Sequence, residues 1–325
     1  MTKTILIITN GVEETPNLVI SELLRMNERF VRVNIENFPI TTSLCMSHSK
    51  TGCVARIKTD SDELDSSEIK SVWYWKPAPP NLPQFFDDGI TKFVRNEVAT
   101  SLWSFYTTLK AKWVNPPLVG TKLLEDNKLF QLEFASKIGL NVPETIITND
   151  PDEVTRFAER HSGVVVLKPL YTSCIVSSSD ELFLIYTRKL TTKEIRGEAD
   201  TIRSCPVFVQ QYIPKKLELR ITVVGAQVFS CAIYSQERNE SACDWRYSDI
   251  ASLRHETFQL PANVEDKVKK LVNTLGLVYG AIDMIVTPSD EFFFLEINPN
   301  GQWLWIEQIT GQKLSRAIAS ELANI

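Results

Sequence analysis

The chain has 325 residues, 43% of them hydrophobic and 23% charged, with a formal net charge of -5 and a pI near 5.5. This composition is typical of a globular protein that is long enough to form two or three domains. Its acidic balance gives no electrostatic reason to expect a nucleic acid or an anionic membrane as a partner.

Six cysteines are scattered along the chain without a CxxC pair or neighbouring histidine ligands. This pattern favours free thiols in a reducing compartment over a zinc site. Met1 leads almost directly into the strand-length apolar run ILII, so we predict no signal peptide, and no apolar run approaches the length of a membrane span. We therefore expect a cytoplasmic protein.

Residues 1–115 predict a small parallel-sheet domain, because a strand, a helix and a second strand follow one another. The elements predicted here are strands over 4–9, 30–35 and 69–76, helices over 16–29 and 85–109, and a polar hairpin over 42–60. Trp73 and Trp75 lie in the third strand, where an aromatic core is the favoured interpretation. No GxGxxG motif follows the first strand, which argues against a dinucleotide site. The run Asn115-Pro116-Pro117 marks the domain boundary.

Residues 116–205 predict a central domain. Its predicted elements are helices over 121–138 and from 151, strands over 143–148, 164–168 and 181–187, and a short polar helix from 191. Asp150 and Pro151 suit the start of a helix, and Gly139 suits the end of one. The serine-rich stretch YTSCIVSSSDE lacks hydrophobic periodicity and predicts a mobile loop.

Residues 206–325 predict a third domain. Its predicted elements are a strand over 207–212, a hairpin over 217–224 and 227–234, a helix over 261–275, and a tail helix over 315–322. Between these helices, two apolar runs, AIDMIV and EFFFLEIN, flank turn-forming residues and predict a second antiparallel hairpin.

This second hairpin predicts a metal site. If its turn centres between Ser289 and Asp290, Asp283 and Glu296 lie opposite each other, and Asn298 points to the same face as Glu296. Three oxygen ligands suit Mg²⁺ or Mn²⁺. The alternative is the solvated face of an ordinary hairpin. The apolar flanks suggest burial on both faces and favour the metal.

Charged residues upstream of this hairpin predict an ATP site. Lys168 ends a buried strand, Glu218 and Arg220 share one strand face, and Arg246 follows. Cations neutralise phosphates, and a carboxylate accepts hydrogen bonds from ribose hydroxyls. The sequence contains neither GxxxxGK[ST] nor the HRD and DFG triplets, so neither a P-loop nor a protein-kinase site is expected.

Several of these motifs resemble a known superfamily. The segments VLKP, VFVQQYIPKKLELRITVVG and FLEINPNG resemble ATP-grasp enzymes. Together with CDWR and NPNGQWLW they resemble, over nearly the whole chain, the ATP-grasp ligases that cyclise microviridin-type ribosomal peptides, the graspetide synthetases. The resemblance implies an α/β (α+β) fold in three parts, a small N-terminal parallel-sheet domain and two domains that clasp ATP.

The resemblance also implies a role for each matching residue. The residues implied to bind ATP are Lys128, Lys168, Gln210, Gln211, Tyr212, Ile213 and Glu218. The implied catalytic residues are Arg220 and Arg246, and the implied metal ligands are Asp283, Glu296 and Asn298. A lysine on an exposed helix face, such as Lys128, is more often merely solvated, and the same alternative applies to Arg246. Ser173 and Ser177 to Ser179 stand where many ATP-grasp enzymes have glycines over the phosphates, which leaves the phosphate contacts of this loop open.

The reaction implied is activation of an Asp or Glu side chain as an acylphosphate, attacked by a Ser or Thr hydroxyl to give an ester or by a Lys amine to give an amide. The family's helical leader peptide would bind near 181–200. Glu194, Glu198 and Asp200 are candidates for its contacts, although a solvated helix face explains them equally well. The resemblance also implies a homodimer.

Two other functions stay open. An ATP-grasp ligase for another acceptor, such as a protein-tail glutamate ligase or an amino-acid ligase, would have the same ATP site. A non-catalytic ATP-binding regulatory protein is the other. The complete set formed by Arg220, Asp283, Glu296 and Asn298 argues against it.

Overall fold

The computed structural model describes residues 3–82, 87–118, 124–125, 127–171, 174–176, 181–238 and 241–324. The chain divides into two compact units, one of Met1–Pro117 with Lys313–Ile325 and one of Leu118–Gln312. The tail helix therefore falls in the first unit, although the sequence assigned it to the third domain. Ser71 donates a hydrogen bond to the carbonyl of Leu322 at 2.7 Å, which ties this helix to the N-terminal sheet.

The first unit contains the predicted parallel sheet, which is confirmed. The strands of this sheet are β1 (Thr4–Thr9), β2 (Phe30–Asn34), β6 (Ile69–Tyr74) and β7 (Lys112–Val114). They lie in the order β2-β1-β6-β7, and every pair is parallel. The helices of the unit are α1 (Thr15–Arg25), α2 (Asp88–Thr108) and α9 (Leu314–Ala323). Trp73 and Trp75 are buried, as predicted.

Two predicted elements of the first unit have an added strand or different bounds in the structure. The polar hairpin is confirmed as β3 (Ser43–Ser49) and β4 (Gly52–Lys58), and β5 (Glu63–Asp65) adds a third antiparallel strand. Helix α2 begins at Asp88, because the Asp87 carboxylate accepts a hydrogen bond from the backbone N–H of Ile90 and caps it. The predicted start of this helix, from 85, lies outside the described residues.

The second unit begins with helix α3 (Lys128–Ile138) and an antiparallel sheet. The strands of this sheet are β8 (Thr145–Thr148), β9 (Val164–Lys168), β12 (Arg188–Thr191) and β13 (Val207–Gln211), in the order β12-β9-β13-β8. Helices α4 (Pro151–Arg160), α5 (Thr192–Gly197) and α6 (Ala199–Ser204) accompany it. Asp150 caps α4, and Gly139 ends α3 with a φ of 89°, as predicted. The predicted first turns of α3 fall mostly outside the described residues.

The serine-rich stretch is not a loop throughout. Cys174–Val176 forms strand β10, which pairs with β11 (Leu182–Leu184) in an antiparallel hairpin. The loop prediction was therefore wrong for these three residues, because cross-strand pairing supplies hydrogen bonds that hydrophobic periodicity does not report. Residues 172–173 and 177–180, which include the four serines, lie outside the described residues.

The five-stranded antiparallel sheet of the second unit has the order β16-β15-β14-β17-β18. Its strands are β14 (Leu217–Val224), β15 (Gln227–Ile233), β16 (His255–Thr257), β17 (Tyr279–Val286) and β18 (Phe292–Asn298). Helices α7 (Ala262–Thr274) and α8 (Leu304–Thr310) belong to this part. Leu219, Ile221, Met284 and Phe294 form one core cluster with residues of α3 and α7, which leaves the opposite sheet face for polar side chains.

Among the described residues, no helix combines the length and the apolar character that crossing a membrane requires.

Candidate active site

A cavity of about 480 Å³ lies in the second unit. Of the predicted nucleotide, catalytic and metal residues, all but Arg220 line it: Lys128, Lys168, Gln210, Gln211, Tyr212, Ile213, Glu218, Arg246, Asp283, Glu296 and Asn298. Val166, Ile285 and Leu295 add an apolar part to the wall. The cavity therefore combines apolar surface with convergent charged groups, as ligand sites do.

The register of β17 and β18 brings the acidic residues together. Asp283 pairs with Glu296, as predicted, but nearer the turn Met284 pairs with Phe294. Leu295 is therefore an extra residue, a β-bulge. In a regular strand Glu296, two residues after Phe294, would share a face with Phe294, which is fully buried in the core. The bulge turns Glu296 to the cavity and returns Ile297 to the core.

The acidic pair is balanced by a cation on each side. Arg220 Nε lies 2.9 Å from Asp283 Oδ1, and Lys128 Nζ lies 3.6 Å from Glu296 Oε2. Burial raises the pKa of Asp283 against the opposing charge of Arg220, and Glu296 adds to the rise. Burial acts in the same direction on Glu296, but Lys128, Lys168, Arg246 and Arg220 together outweigh it and lower the pKa of that carboxyl. Two carboxylates placed opposite each other repel, which a divalent cation would relieve.

Two lysines approach the cavity from the α3 and β9 side. Lys168 Nζ donates a hydrogen bond to Gln210 Oε1 at 2.9 Å, and Lys128 Nζ donates one to the Pro169 carbonyl at 2.8 Å. Burial lowers the pKa of Lys168, while Glu296 is the strongest of the nearby carboxylates that oppose this. A buried ammonium of this kind gains from an anionic ligand.

Arg246 is held by a buried carboxylate. Asp244 accepts hydrogen bonds from Arg246 Nε at 2.9 Å and from Arg246 Nη2 at 2.7 Å, and a third from the backbone N–H of Thr187 at 3.0 Å. Burial would raise the pKa of Asp244, but the hydrogen bonds and charge of Arg246 lower it to about 2. The bidentate geometry fixes the plane of the guanidinium at the cavity wall.

Arg220 lies beside the cavity without lining it. Its guanidinium carbon is 5.9 Å from the centre of the Trp245 ring, and its Nη1 lies close to the backbone of Gly301. A Cβ at position 301 would lie 2.5 Å from the Cβ of Ala281 and 3.1 Å from Arg220 Nη1. Only glycine allows this approach, so the NPNG sequence after β18 keeps room for the Arg220 side chain.

The predicted metal ligands offer oxygen atoms only. The described part of the chain brings no three His, Cys, Asp or Glu side chains together as a metal cluster. A cation here would therefore depend on Asp283, Glu296, the amide of Asn298 and oxygen atoms of a bound nucleotide. The Asn298 Oδ1 atom accepts a hydrogen bond from the backbone N–H of Asn300 at 2.8 Å, which orients the amide.

The three predicted peptide-binding residues do not line the cavity. Glu194 caps α5 by accepting hydrogen bonds from the N–H and hydroxyl of Thr191, both at 2.7 Å. Glu198 forms an ion pair with Arg188 at 2.6 Å, and Asp200 forms one with an arginine three residues later at 2.8 Å. Each carboxylate thus has a local structural partner. Their contact with a leader peptide stays a prediction.

Among the residues of the cavity wall that sequence reasoning missed are Lys215 and Asp244. Lys215 Nζ donates to Glu218 Oε1 at 2.7 Å, but it precedes β14, so strand alternation could not place it beside Glu218. The available signal for Asp244 was its spacing of two from Arg246, which suits a carboxylate that caps a turn and binds the following arginine.

Comparison with known proteins gives matches over both units. A model of the MvdD pre-ATP grasp domain matches residues 4–118, and a model of the RimK-like ATP-grasp domain matches residues 125–322. The chain is similar to the α-aminoadipate–LysW ligase LysX of Sulfurisphaera tokodaii, with 23% identity over 203 residues. That match covers 60% of this chain and 66% of the ligase, slightly less than two thirds of its length.

Two solved structures are similar over almost their full lengths. A RiPP-associated ATP-grasp ligase of Chryseobacterium gregarium, in complex with ADP and a leader and core peptide, has 29% identity and a TM-score of 0.90 and covers 99% of this chain and 97% of its own. The macrocyclase MdnC of Microcystis aeruginosa, bound with the precursor peptide MdnA, has 29% identity and a TM-score of 0.86 and covers 99% and 100%.

Proposed function

We propose that this chain, which belongs to the RimK-like ATP-grasp family, is an ATP-dependent ligase that closes rings between side chains of a ribosomal precursor peptide. The observation that carries the proposal is the cavity itself, where Lys128, Lys168 and Arg246 surround the acidic pair Asp283 and Glu296. Likeness to two peptide-bound ligases over 99% of the chain supports the peptide as substrate.

ATP fits the distribution of apolar and charged groups in this cavity. Val166, Ile285 and the backbone of 211–213 would receive the adenine, and Lys128 and Lys168 would meet the phosphates. Glu218 lies two residues before Arg220 on β14, roughly 7 Å along the strand from the acidic pair. At that distance its carboxylate would accept hydrogen bonds from the ribose hydroxyls.

The oxygen donors of the second hairpin fit a divalent cation. Asp283, Glu296 and Asn298 would hold Mg²⁺, and Mn²⁺ has the same ligand preference. When bound, the metal would offset charge on the phosphates during transfer. Arg220 and Lys128 also offset part of the negative charge of Asp283 and Glu296.

The residues of the chain position and neutralise the reacting groups. The γ-phosphoryl group of ATP passes to a side-chain carboxylate of the peptide, which yields ADP and an acylphosphate. Arg246, fixed by Asp244, and Arg220 would stabilise the charge that builds on the transferred group. A hydroxyl or amine of the same peptide then attacks the acyl carbon, loses its proton and releases phosphate, so the enzyme needs no nucleophile of its own.

Three finer statements belong to this proposal. Glu194, Glu198 and Asp200 would contact the leader peptide by exchanging their local partners. The chain would act as a homodimer in the cytoplasm. Free thiols suit a reducing compartment, and Cys45, Cys53, Cys205, Cys231 and Cys243 are free. Sedimentation of the purified protein would test the dimer, and a monomer at micromolar concentration would contradict it.

Release of ADP tests the proposed function. The purified chain with Mg·ATP is expected to release ADP faster when it receives the peptide encoded by a short reading frame beside its gene, rich in Ser or Thr and Glu or Asp. The Glu296→Gln variant, which loses one metal ligand, is the control. No peptide-dependent ADP release would contradict the macrocyclase proposal.

Similarity to the α-aminoadipate–LysW ligase LysX supports a second candidate, a ligase that acts on an amino acid such as α-aminoadipate or glutamate. This enzyme would use the same ATP site and differ only in its acceptor. ADP release with free α-aminoadipate or glutamate and an acceptor protein, but not with the short precursor, would favour it.

A further inference from the structure

We infer that Lys215 is a positioning residue that holds the Glu218 carboxylate in place for the ribose of the bound nucleotide. The inference rests on the proposed ATP site and adds to it a residue that does not itself need to touch ATP. Lys215 is the first residue of a Lys-Lys pair, and the two lysines have opposite environments.

Lys215 is buried in an ion pair. Its side chain is 4% exposed and that of Glu218 is 10% exposed, with Nζ 2.7 Å from Glu218 Oε1. The same ammonium donates a second hydrogen bond to the carbonyl of Cys243 at 3.0 Å. Lys216, the next residue, is 53% exposed and pairs with Asp290 on the surface. The chain therefore supplies its own matched control.

The contacts of Glu218 are divided between its two oxygen atoms. Oε1 accepts the Lys215 ammonium and also the Ser235 hydroxyl, both at 2.7 Å. In the part of the chain that the structure describes, Oε2 accepts no hydrogen bond, and Glu218 lines the cavity. With one oxygen fixed by two donors, the other is held for a ligand that donates hydrogen bonds. Vicinal hydroxyls do so, whereas phosphate oxygens do not.

Lys215 also connects the two ends of the nucleotide site. Cys243 directly precedes Asp244, which fixes Arg246. A single ammonium therefore joins the carboxylate assigned to the ribose and the segment that carries the arginine assigned to phosphoryl transfer. Burying an ammonium this deeply is costly unless its partners are well placed. A surface lysine at 215 would give neither connection.

The alternative roles of Lys215 make different predictions. If Lys215 forms only a structural ion pair, its replacement alters the melting temperature without changing which nucleotide binds. If Lys215 contacts ATP directly, its replacement weakens the binding of nucleotides with and without ribose hydroxyls alike. If Lys215 positions Glu218, its replacement removes specifically the preference for nucleotides that carry these hydroxyls.

The experiment compares the affinities of ATP and 2′,3′-dideoxy-ATP by calorimetry. The wild type is expected to prefer ATP by roughly tenfold or more, as for a hydrogen bond to a charged group. Lys215→Met should reduce this preference to about threefold or less, because Glu218 loses its fixed orientation. Lys216→Met should keep the wild-type preference and fold.

A double-mutant cycle covers the case in which Lys215→Met does not fold. Lys215→Met in a Glu218→Gln background removes both charges together, so that neither is left buried without a partner. This double variant should show the same affinities as Glu218→Gln alone.

Three results would overturn the inference: a wild-type preference retained in Lys215→Met, further loss of ATP affinity in the double variant, or no preference in the wild type. If the wild type binds no ATP, the proposed function fails as well. If the wild type binds ATP but one of the three results above is found, only the inference about Lys215 fails.

Discussion

Asp244 is the residue on which the arginine of the cavity depends. It accepts hydrogen bonds from the Arg246 side chain and from Thr187, so that one carboxylate fixes a guanidinium and anchors the segment before β12. The sequence pointed to Arg246 but not to its partner. The spacing of two was the available signal, but the side-chain contact itself depends on the turn that the two residues form.

Replacement of Asp244 by asparagine should reduce turnover roughly a hundredfold, because an arginine displaced by about 1 Å stabilises the transferred group poorly. The affinity for ATP should change little. Steady-state ADP release against ATP concentration measures both. Asp249→Asn is the control, since Asp249 caps the neighbouring turn without binding an arginine. Equal effects of the two substitutions would contradict the positioning of Arg246 by Asp244.

Asp244 also predicts a pH dependence of stability. The pKa of its carboxyl is about 2 in the folded chain and 3.8 in its ordinary state, so the unfolded state binds more protons between these values. The pair should contribute about 2 kcal/mol above roughly pH 5, lost as the pH falls towards 2. The difference in unfolding free energy between wild type and Asp244→Asn should therefore shrink on acidification. A difference independent of pH would contradict the prediction.

The metal ligands give the most direct test at the scale of single residues. Asp283→Asn or Glu296→Gln removes one negative oxygen donor while keeping size, so Mg²⁺-dependent turnover should fall below detection. Circular dichroism and melting curves would confirm that each variant folds. Retained turnover in either variant would remove that residue from the metal site.

At the scale of elements, the hairpin of β17 and β18 depends on one bulge. Sequence reasoning predicted that Asp283 faces Glu296, and the register confirms it. The bulge at Leu295 was not predicted, because a surplus residue is defined only relative to the partner strand. For the same reason the contact of Lys215 with Glu218 was not predicted, because it depends on how the folded chain brings the two residues together. Strands β10 and β12 were not predicted either, because their own sequences lack a clear alternating pattern and their partner strands define them.

Deletion of Leu295 should preserve Mg²⁺-dependent ATP binding. Glu296 would then directly follow Phe294, so regular strand alternation would keep Glu296 on the cavity face and Phe294 in the core. Leu295→Ala keeps the bulge and should also retain binding. Calorimetry with ATP, in Mg²⁺ and in EDTA, compares the two variants. A deletion variant that folds but no longer binds Mg·ATP would contradict the assignment of Leu295 as a surplus residue.

At the scale of the whole molecule, the parallel N-terminal sheet and the two antiparallel hairpins of the third domain were predicted from periodicity and turn residues, and the ATP-grasp family from motifs. All are confirmed. Local patterns suffice to predict these features because apolar runs and turn-forming residues mark the strands and hairpins directly in the sequence. The division into three domains at 115 and 205 stays a prediction. The tail helix lies in the first unit, a placement that contacts far apart in sequence decide.

The central claim is that ATP is used to activate side-chain carboxylates for ring closure within one peptide. The most direct measurement compares the mass change of the precursor peptide with the ADP released in the same reaction. The account predicts that each ring costs the peptide one water and yields one ADP, and that Glu296→Gln yields neither. ADP release with an unchanged peptide mass, or addition of a second molecule to the peptide, would contradict it.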